Sequence, residues 1–167
     1  MLALHSFFRS GTSHRVRIAL NLKGLTVENH PVDLRTEEHL ADAFRAINPQ
    51  ALVPVLSTGS HHLIQSPAIL EWLDETYPDP PLLPADAIER AHVRAMAAMV
   101  GCDVHPINNR RVLMYLRSQF GTDEAGVNAW AVPGSAPLLM PWNRCLQPIS
   151  TEVIFALVGH RRWRMCT

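Results

Sequence analysis

No stretch of this 167-residue chain is apolar for long enough to span a bilayer, although 47% of its residues are hydrophobic, so helical membrane spans are excluded and no membrane partner is expected. Charge of one sign is missing too. Fifteen Lys and Arg balance fifteen Asp and Glu, leaving no field to recruit nucleic acid or a membrane surface. Cysteine is scarce: Cys102, Cys145 and Cys166 have neither metal-ligand spacing nor an even disulfide framework, and the histidine doublet His61-His62 has no third ligand spaced for zinc, so no metal is expected. The N-terminus lacks the charged and apolar regions of a signal peptide, and a reducing cytoplasm fits best. What is present is apolar content enough for one good core or two small ones.

The most informative stretch runs from Phe8 to Leu20. Leu2 to Phe8 reads as a mostly apolar first strand. Val16, Ile18, Ala19, Leu20 and Leu22 give the following helix a buried side, with Arg15, Arg17 and Lys23 reaching water and Gly24 ending the helix in a left-handed conformation. Ser10 to Ser13 then fall on a strand-to-helix turn. There the first N–H groups lack helical partners and the peptide dipoles add positive charge, which suits a thiolate or another anion. The plainer alternative is that Ser13 or Thr12 is only an N-cap, worth about 1 kcal/mol.

Further along, residues 26–34 read as a second strand, 36–47 as a short helix, 51–57 and 61–65 as two strands around the turn Thr58-Gly59-Ser60, and 66–77 as a helix. The order βαβαββα covers residues 2 to about 77. The proline-rich run Pro78-Asp79-Pro80-Pro81-Leu82-Leu83-Pro84 reads as a linker, and a helical region begins near Asp86, with helices over about 86–98 and 103–120. Pro54, entering what looks like an inner strand, conflicts with ladder bonding unless the Val53-Pro54 bond is cis and the strand turns outward, which would free the Val53 N–H and C=O for an extended peptide ligand; an ordinary edge-strand proline is the alternative. Ser66 as N-cap with Pro67 at the first helical position gives a second helix start able to bind a carboxylate.

Four separated blocks, FRSGTSHRVRIALNLKG, NPQALVPVL, LIQSPAILEWLDETYP and CDVHPINNRRVL, resemble in order the zeta class of the glutathione transferase superfamily and, within it, the bacterial glutathione-dependent maleylpyruvate isomerases. The likeness runs from residue 1 to Trp130. Ser10-Gly11-Thr12 stands where maleylacetoacetate isomerases read Ser-Ser-Cys. The resemblance implies an α/β thioredoxin-like domain over residues 1–79, the start of an all-α C-terminal domain over 85–130, a homodimer and a role in aromatic degradation by the gentisate route. It also implies glutathione as cofactor and a small dicarboxylate substrate, with the thiolate adding to maleylpyruvate's cis double bond and leaving once the trans geometry is reached. By the family pattern Ser10, Gly11 and Thr12 surround the sulfur and Val53 pairs with the cysteinyl backbone. Gln65 and Ser66 hold the γ-glutamyl carboxylate, and His39 and Gln50 lie near the glycyl end. Asp103, His105, Asn109, Arg110 and Arg111 line the rest or reach the neighbouring subunit's glutathione, with Arg9 and Arg111 on the substrate carboxylates. Alternative readings are a maleylacetoacetate isomerase, an ordinary glutathione transferase, and a non-catalytic glutathione-binding remnant.

After Trp130 the resemblance stops. Ala131 to Pro137 has turn composition where the family continues with a long helix. Met140-Pro141-Trp142-Asn143 must be encoded ATG CCN TGG AAY, and reading one nucleotide earlier permits Asp-Ala-Leu-Glu; the same shift after Trp130 permits Cys-Gly-Thr-Trp-Ile-Ser, as the family continues. Residues 131–167 are therefore expected to be translated out of frame, truncating the helical domain. Its remaining helices would expose apolar positions such as Val112, Leu113, Leu116 and Phe120, which makes a homodimer doubtful and impairs activity.

Overall fold

The structure is a computed structural model that describes residues 1–139. Its described residues form two compact units that part between Leu83 and Pro84.

In the first unit, period-2 alternation in β1 (Leu2–Ser6) sends Leu2 and Leu4 to one face of a sheet and Ala3 and His5 to the other. β1 pairs in parallel with β2 (Glu28–Pro31) and antiparallel with β3 (Val55–Thr58), which pairs antiparallel with β4 (His61–Ile64), giving the order β2-β1-β3-β4. The helix α1 (Gly11–Leu22) and α3 (Ser66–Thr76) pack with Leu2, Leu4 and Leu56 through Val16, Ala19, Leu20, Ile69, Leu70 and Leu73. A smaller cluster of Val32, Phe44 and Val55 joins the short α2 (Asp42–Ile47) to the sheet. This is a thioredoxin-like arrangement with a mixed sheet.

Several sequence expectations need adjustment. The second strand shortens to Glu28–Pro31. The helix read over 36–47 is a single turn at Glu38–Leu40 followed by α2, because Ala41 is extended between them (φ −64, ψ 148). Arg15 and Lys23, assigned to water, are 5% and 7% exposed, whereas Leu22, assigned to the core, is exposed. The reason is helical spacing: Arg15, Ala19 and Lys23 form an i, i+4, i+8 row beside Val16 and Leu20, the row that faces α3. Lys23 Nζ donates to Asp74 Oδ1 at 2.8 Å and to the carbonyls of Tyr77 and Pro80. Leu82 donates its N–H to the same Asp74 oxygen, and its side chain joins the core. The proline-rich segment is thus pinned to α1 and α3 as far as Leu82.

Near the start of the second unit Asp86 caps α4 (Ala87–Ala98) by accepting the N–H groups of Ile88 and Glu89. The chain continues through a wider turn over Met99–Val104 and the short α5 (His105–Ile107). The helix expected over 103–120 is broken at Asn109, whose side chain accepts from Arg111 N–H and starts α6 (Arg110–Phe120). Gly121 ends α6 in the left-handed region (φ 62). The last element among the described residues, α7 (Glu124–Leu139), corrects the turn read over 131–137. Asp123 starts it by accepting Gly126 N–H, Val127 is buried, and Trp130 Nε1 donates to Ile107 O at 2.9 Å. A helix anchored upstream in this way tolerates Pro133 and Pro137 at the loss of individual backbone bonds. Val112, Leu113 and Leu116 are half-buried, and of the four positions named for exposure Phe120 is the open one, at 70%. Cys145, Cys166 and the sequence after Leu139 lie outside the described residues.

Candidate functional site

The strand-to-helix turn before α1 is built by local bonds. Ser10 N–H donates to Phe7 O, and Arg17 reaches back to the carbonyls of Phe7 and Phe8. The N-cap is Ser10, not Thr12 or Ser13: its Oγ accepts from Ser13 N–H at 3.2 Å. A loop organised by Asn48 meets this turn. Asn48 is 1% exposed, donates to Leu52 O and accepts Gln50 N–H, and the chain then passes through Ala51 at φ 54 into the cis Val53-Pro54 bond.

The two pieces are joined by hydroxyls. Ser10 Oγ lies 2.8 Å from Thr12 Oγ1, and Thr12 Oγ1 donates to Val53 O at 3.1 Å. With the Thr12 proton on that carbonyl, the Ser10 hydroxyl must donate to Thr12, so both protons point inward. The Val53 carbonyl is therefore engaged, contrary to the expectation that both backbone groups stand free. The N–H groups of Val53, Gly11 and Thr12 meet no backbone acceptor among the described residues. Donors without a partner at a helix start are what an anion needs.

The second helix start is less capped. Gln65, not Ser66, is the N-cap of α3; it holds φ 68, ψ 111 and makes no capping bond. Its Nε2 instead donates to Gln50 Oε1 at 2.8 Å. A non-glycine residue in that region is strained, and such strain gathers at functional positions. Ser66 occupies the first helical position, Pro67 has no N–H to satisfy, and the N–H groups of Ser66 and Ala68 find no backbone acceptor among the described residues. Behind Ser66, which is 3% exposed, stands Arg15, with Nη1 3.4 Å from Ser66 Oγ. Burial pushes the Arg15 pKa down. Sequence reasoning missed Arg15 and Asn48; the helical row through positions 15, 19 and 23 was the signal for the first.

Among the other predicted residues, Arg9 is exposed between β1 and α1, His39 is buried in the turn before α2, and Gln50 is exposed. Asp103, His105, Asn109, Arg110 and Arg111 belong to the second unit. Asp103 is exposed in the wide turn, and Asn109 Nδ2 lies 3.4 Å from His105 Nε2. Arg110 and Arg111 are exposed in the first turn of α6, where the helix dipole already contributes positive charge. The structure thus brings together Ser10, Gly11, Thr12 and Val53 at one helix start, and Gln50, Gln65 and Ser66 at the other. A cavity of about 250 Å³ lies elsewhere in the first unit, against α2, lined by His5, His30, Glu38 and Phe44 among others. Among the described residues no His, Cys, Asp or Glu side chains group as a metal site, and no helix is long and apolar enough to cross a membrane.

A mixed four-stranded sheet with a cis-proline loop facing the start of α1 defines the N-terminal half of a glutathione transferase fold, and residues 4–81 match the glutathione S-transferase N-terminal domain. A solved holo structure of a maleylpyruvate isomerase, described as a bacterial glutathione S-transferase of the zeta class, superposes with a TM-score of 0.84 at 59% identity, covering 87% of this chain and 70% of that one. The chain belongs to the zeta class of the glutathione transferase family. A maleylpyruvate isomerase of Ralstonia sp is 67% identical over 129 residues, which are 77% of this chain and 61% of that protein. A maleylacetoacetate isomerase from Methylobacterium extorquens AM1, solved with bound malonate and glutathione, superposes with a TM-score of 0.85 at 32% identity, over 93% of this chain and 79% of that one. The chain spans about three-fifths of the length of the curated relatives it matches, 61% in the case of the Ralstonia protein.

Proposed function

We propose that this chain is a glutathione-dependent cis-trans isomerase whose substrate is maleylpyruvate and whose product is fumarylpyruvate. The observation that carries the reading is the pair of helix starts in one unit, each with unspent N–H donors, one beside a hydroxyl pair and the other beside a buried guanidinium. The 67% identity to a maleylpyruvate isomerase supports the choice of substrate.

The residues present fit glutathione. Gly11 and Thr12 offer N–H groups for a sulfur anion, Val53 offers an N–H for a peptide carbonyl, and Ser66 and Ala68 offer N–H groups for a carboxylate with Arg15 behind them. Gln65 would share the γ-glutamyl end with Ser66, with His39 and Gln50 toward the glycyl end. Bound glutathione would supply a thiolate that adds reversibly to the conjugated cis double bond, leaving a single bond free to rotate. The chain's own task is to raise the thiolate fraction of a thiol with an ordinary pKa near 8.5, using N–H donors and the dipole of α1. The Ser10 and Thr12 hydroxyls would turn outward to join those donors. Arg9 and Arg111 would fix the substrate carboxylates and stabilise the negative charge that develops on addition, an effect of about 2.7 to 4 kcal/mol for one well-placed donor. Asp103, His105, Asn109 and Arg110 would complete the site or serve the glutathione of a partner subunit.

A cytoplasmic location, a homodimer and a place in gentisate degradation go with this proposal, as does an out-of-frame origin for residues 131–167. The similarity to the Ralstonia protein, confined to 129 residues, supports the last point; the gene's nucleotide sequence tests it. The activity test follows the glutathione-dependent loss of maleylpyruvate's ultraviolet absorbance, for this chain and for one with the frame shifted back after Trp130. Activity in either supports the assignment. Activity in neither, with maleylacetoacetate turned over instead, would transfer the reading to that substrate.

A further inference from the structure

Arg15 is 5% exposed, and among the described residues its Nε has no partner and its one hydrogen bond, Nη1 to Ser66 Oγ, is long at 3.4 Å. No carboxylate pairs with it among the described residues; desolvation alone accounts for its lowered pKa. An arginine does not shed its proton in a protein, so the charge stays and so does the cost of burying it. The bland explanation is packing: the alkyl stem fills space in the row with Ala19 and Lys23. That explains the stem and leaves the guanidinium unexplained, because the Lys23 ammonium in the same row is saturated by Asp74 and two carbonyls.

The location of the guanidinium supplies the missing partner. It lies against the first residue of an eleven-residue helix whose opening N–H groups are unspent and whose N-cap makes no capping bond. Ser66 Oγ accepts from Arg15, which leaves the Ser66 hydroxyl proton for an acceptor on its other side.

We infer that Arg15 is a positioning residue of the α3 site: it holds the Ser66 hydroxyl with its proton directed at a carboxylate on the helix N-terminus, and that carboxylate neutralises its buried charge. This rests on the glutathione reading, since the carboxylate in question is that of the γ-glutamyl group. It adds a residue that touches no ligand atom yet selects for the carboxylate.

The test compares two thiols on the full chain by titration calorimetry: glutathione, and 4-aminobutyryl-cysteinylglycine, which lacks only the γ-glutamyl carboxylate. The wild-type chain should prefer glutathione. Arg15→Met should weaken glutathione by about thirtyfold, as for loss of one member of a buried charge pair, while binding of the carboxylate-free thiol changes little. Arg15→Lys, which keeps the charge and loses the fork, should restore part of the preference. If Arg15→Met does not fold, Arg15→Lys carries the test alone, with a smaller loss again confined to glutathione. Equal losses for both thiols, or an undiminished preference for glutathione in the variants, would overturn the inference and leave the glutathione reading standing. A wild-type chain that binds neither thiol overturns both.

Discussion

In the first unit Leu4, Val16, Leu56, Ile69 and Leu73 are wholly removed from solvent, and Lys23 is saturated with oxygen partners. Among the described residues of the second unit the buried apolar ones are Val93, Met96, Val100 and Val127, while Ile88, Met114, Tyr115, Phe120 and Trp130 are open to solvent. The first unit is a closed two-faced sheet sandwich, and the second is a string of helices with less to bury. The unspent polar capacity differs in the same sense: in the first unit it gathers at two helix starts, held by a packed scaffold, as a preorganised site requires.

The largest effect that would break this comparison is expected at Lys23. Lys23→Met should cost about 3 to 5 kcal/mol, because Asp74 and two carbonyls lose a shared buried donor; a urea midpoint barely shifted from wild type would mean that the pinning of the linker is incidental. Next in size is the contrast between cores. Leu56→Ala should destabilise by about 3 kcal/mol, and Val93→Ala by about 2 kcal/mol. Both are measured by urea unfolding followed by circular dichroism, and the reverse order would contradict the closed-core account of the first unit.

Helix caps should cost about the same in both units. Ser10→Ala and Asp86→Ala each remove one capping acceptor and should cost about 1 kcal/mol. They should differ in binding: the Ser10 variant alone disturbs the Thr12 and Val53 chain, so it should also weaken glutathione in calorimetry.

The smallest effect concerns pH. The His5 pKa is lowered, first by burial and then by His30, stacked at 4.9 Å, and by His62, which shares the Ser57 hydroxyl. Its unfolded value lies near 6.5, so below that pH the unfolded state binds more protons. Stability should be complete above about pH 6.5 and fall as the pH drops through it, levelling once the lower folded value is passed. His5→Gln should flatten this slope in thermal melts between pH 7 and 5; an unchanged slope would assign it elsewhere.

Much of the first unit was legible because its signals are local. Gly24 does adopt positive φ (63), a turn does join the strands at Gly59, the Val53-Pro54 bond is cis, and the βαβαββα order stands. The burial of Arg15 and Lys23 was not legible: a charged residue on a buried row looks like a solvated one until the facing helix is known, and its partners here are Ser66, Asp74, Tyr77 and Pro80, more than fifty positions away. Cap positions shifted for a related reason. Thr12 looked like a capping residue, but its hydroxyl goes to Val53, forty-one positions on, and Ser10 takes the cap. Breaks at Ala41 and Asn109, and the continuation of α7 through Pro133, depend on how each segment is anchored, which residue type does not encode.

The most direct test of the central claim is calorimetric titration of the full chain with glutathione, beside the chain carrying Ser66→Ala. The account predicts saturable binding of one glutathione per chain that weakens by about tenfold or more in the variant, as when a donor to a charged group is lost. Absence of binding by the wild-type chain, or binding indifferent to Ser66, would contradict it.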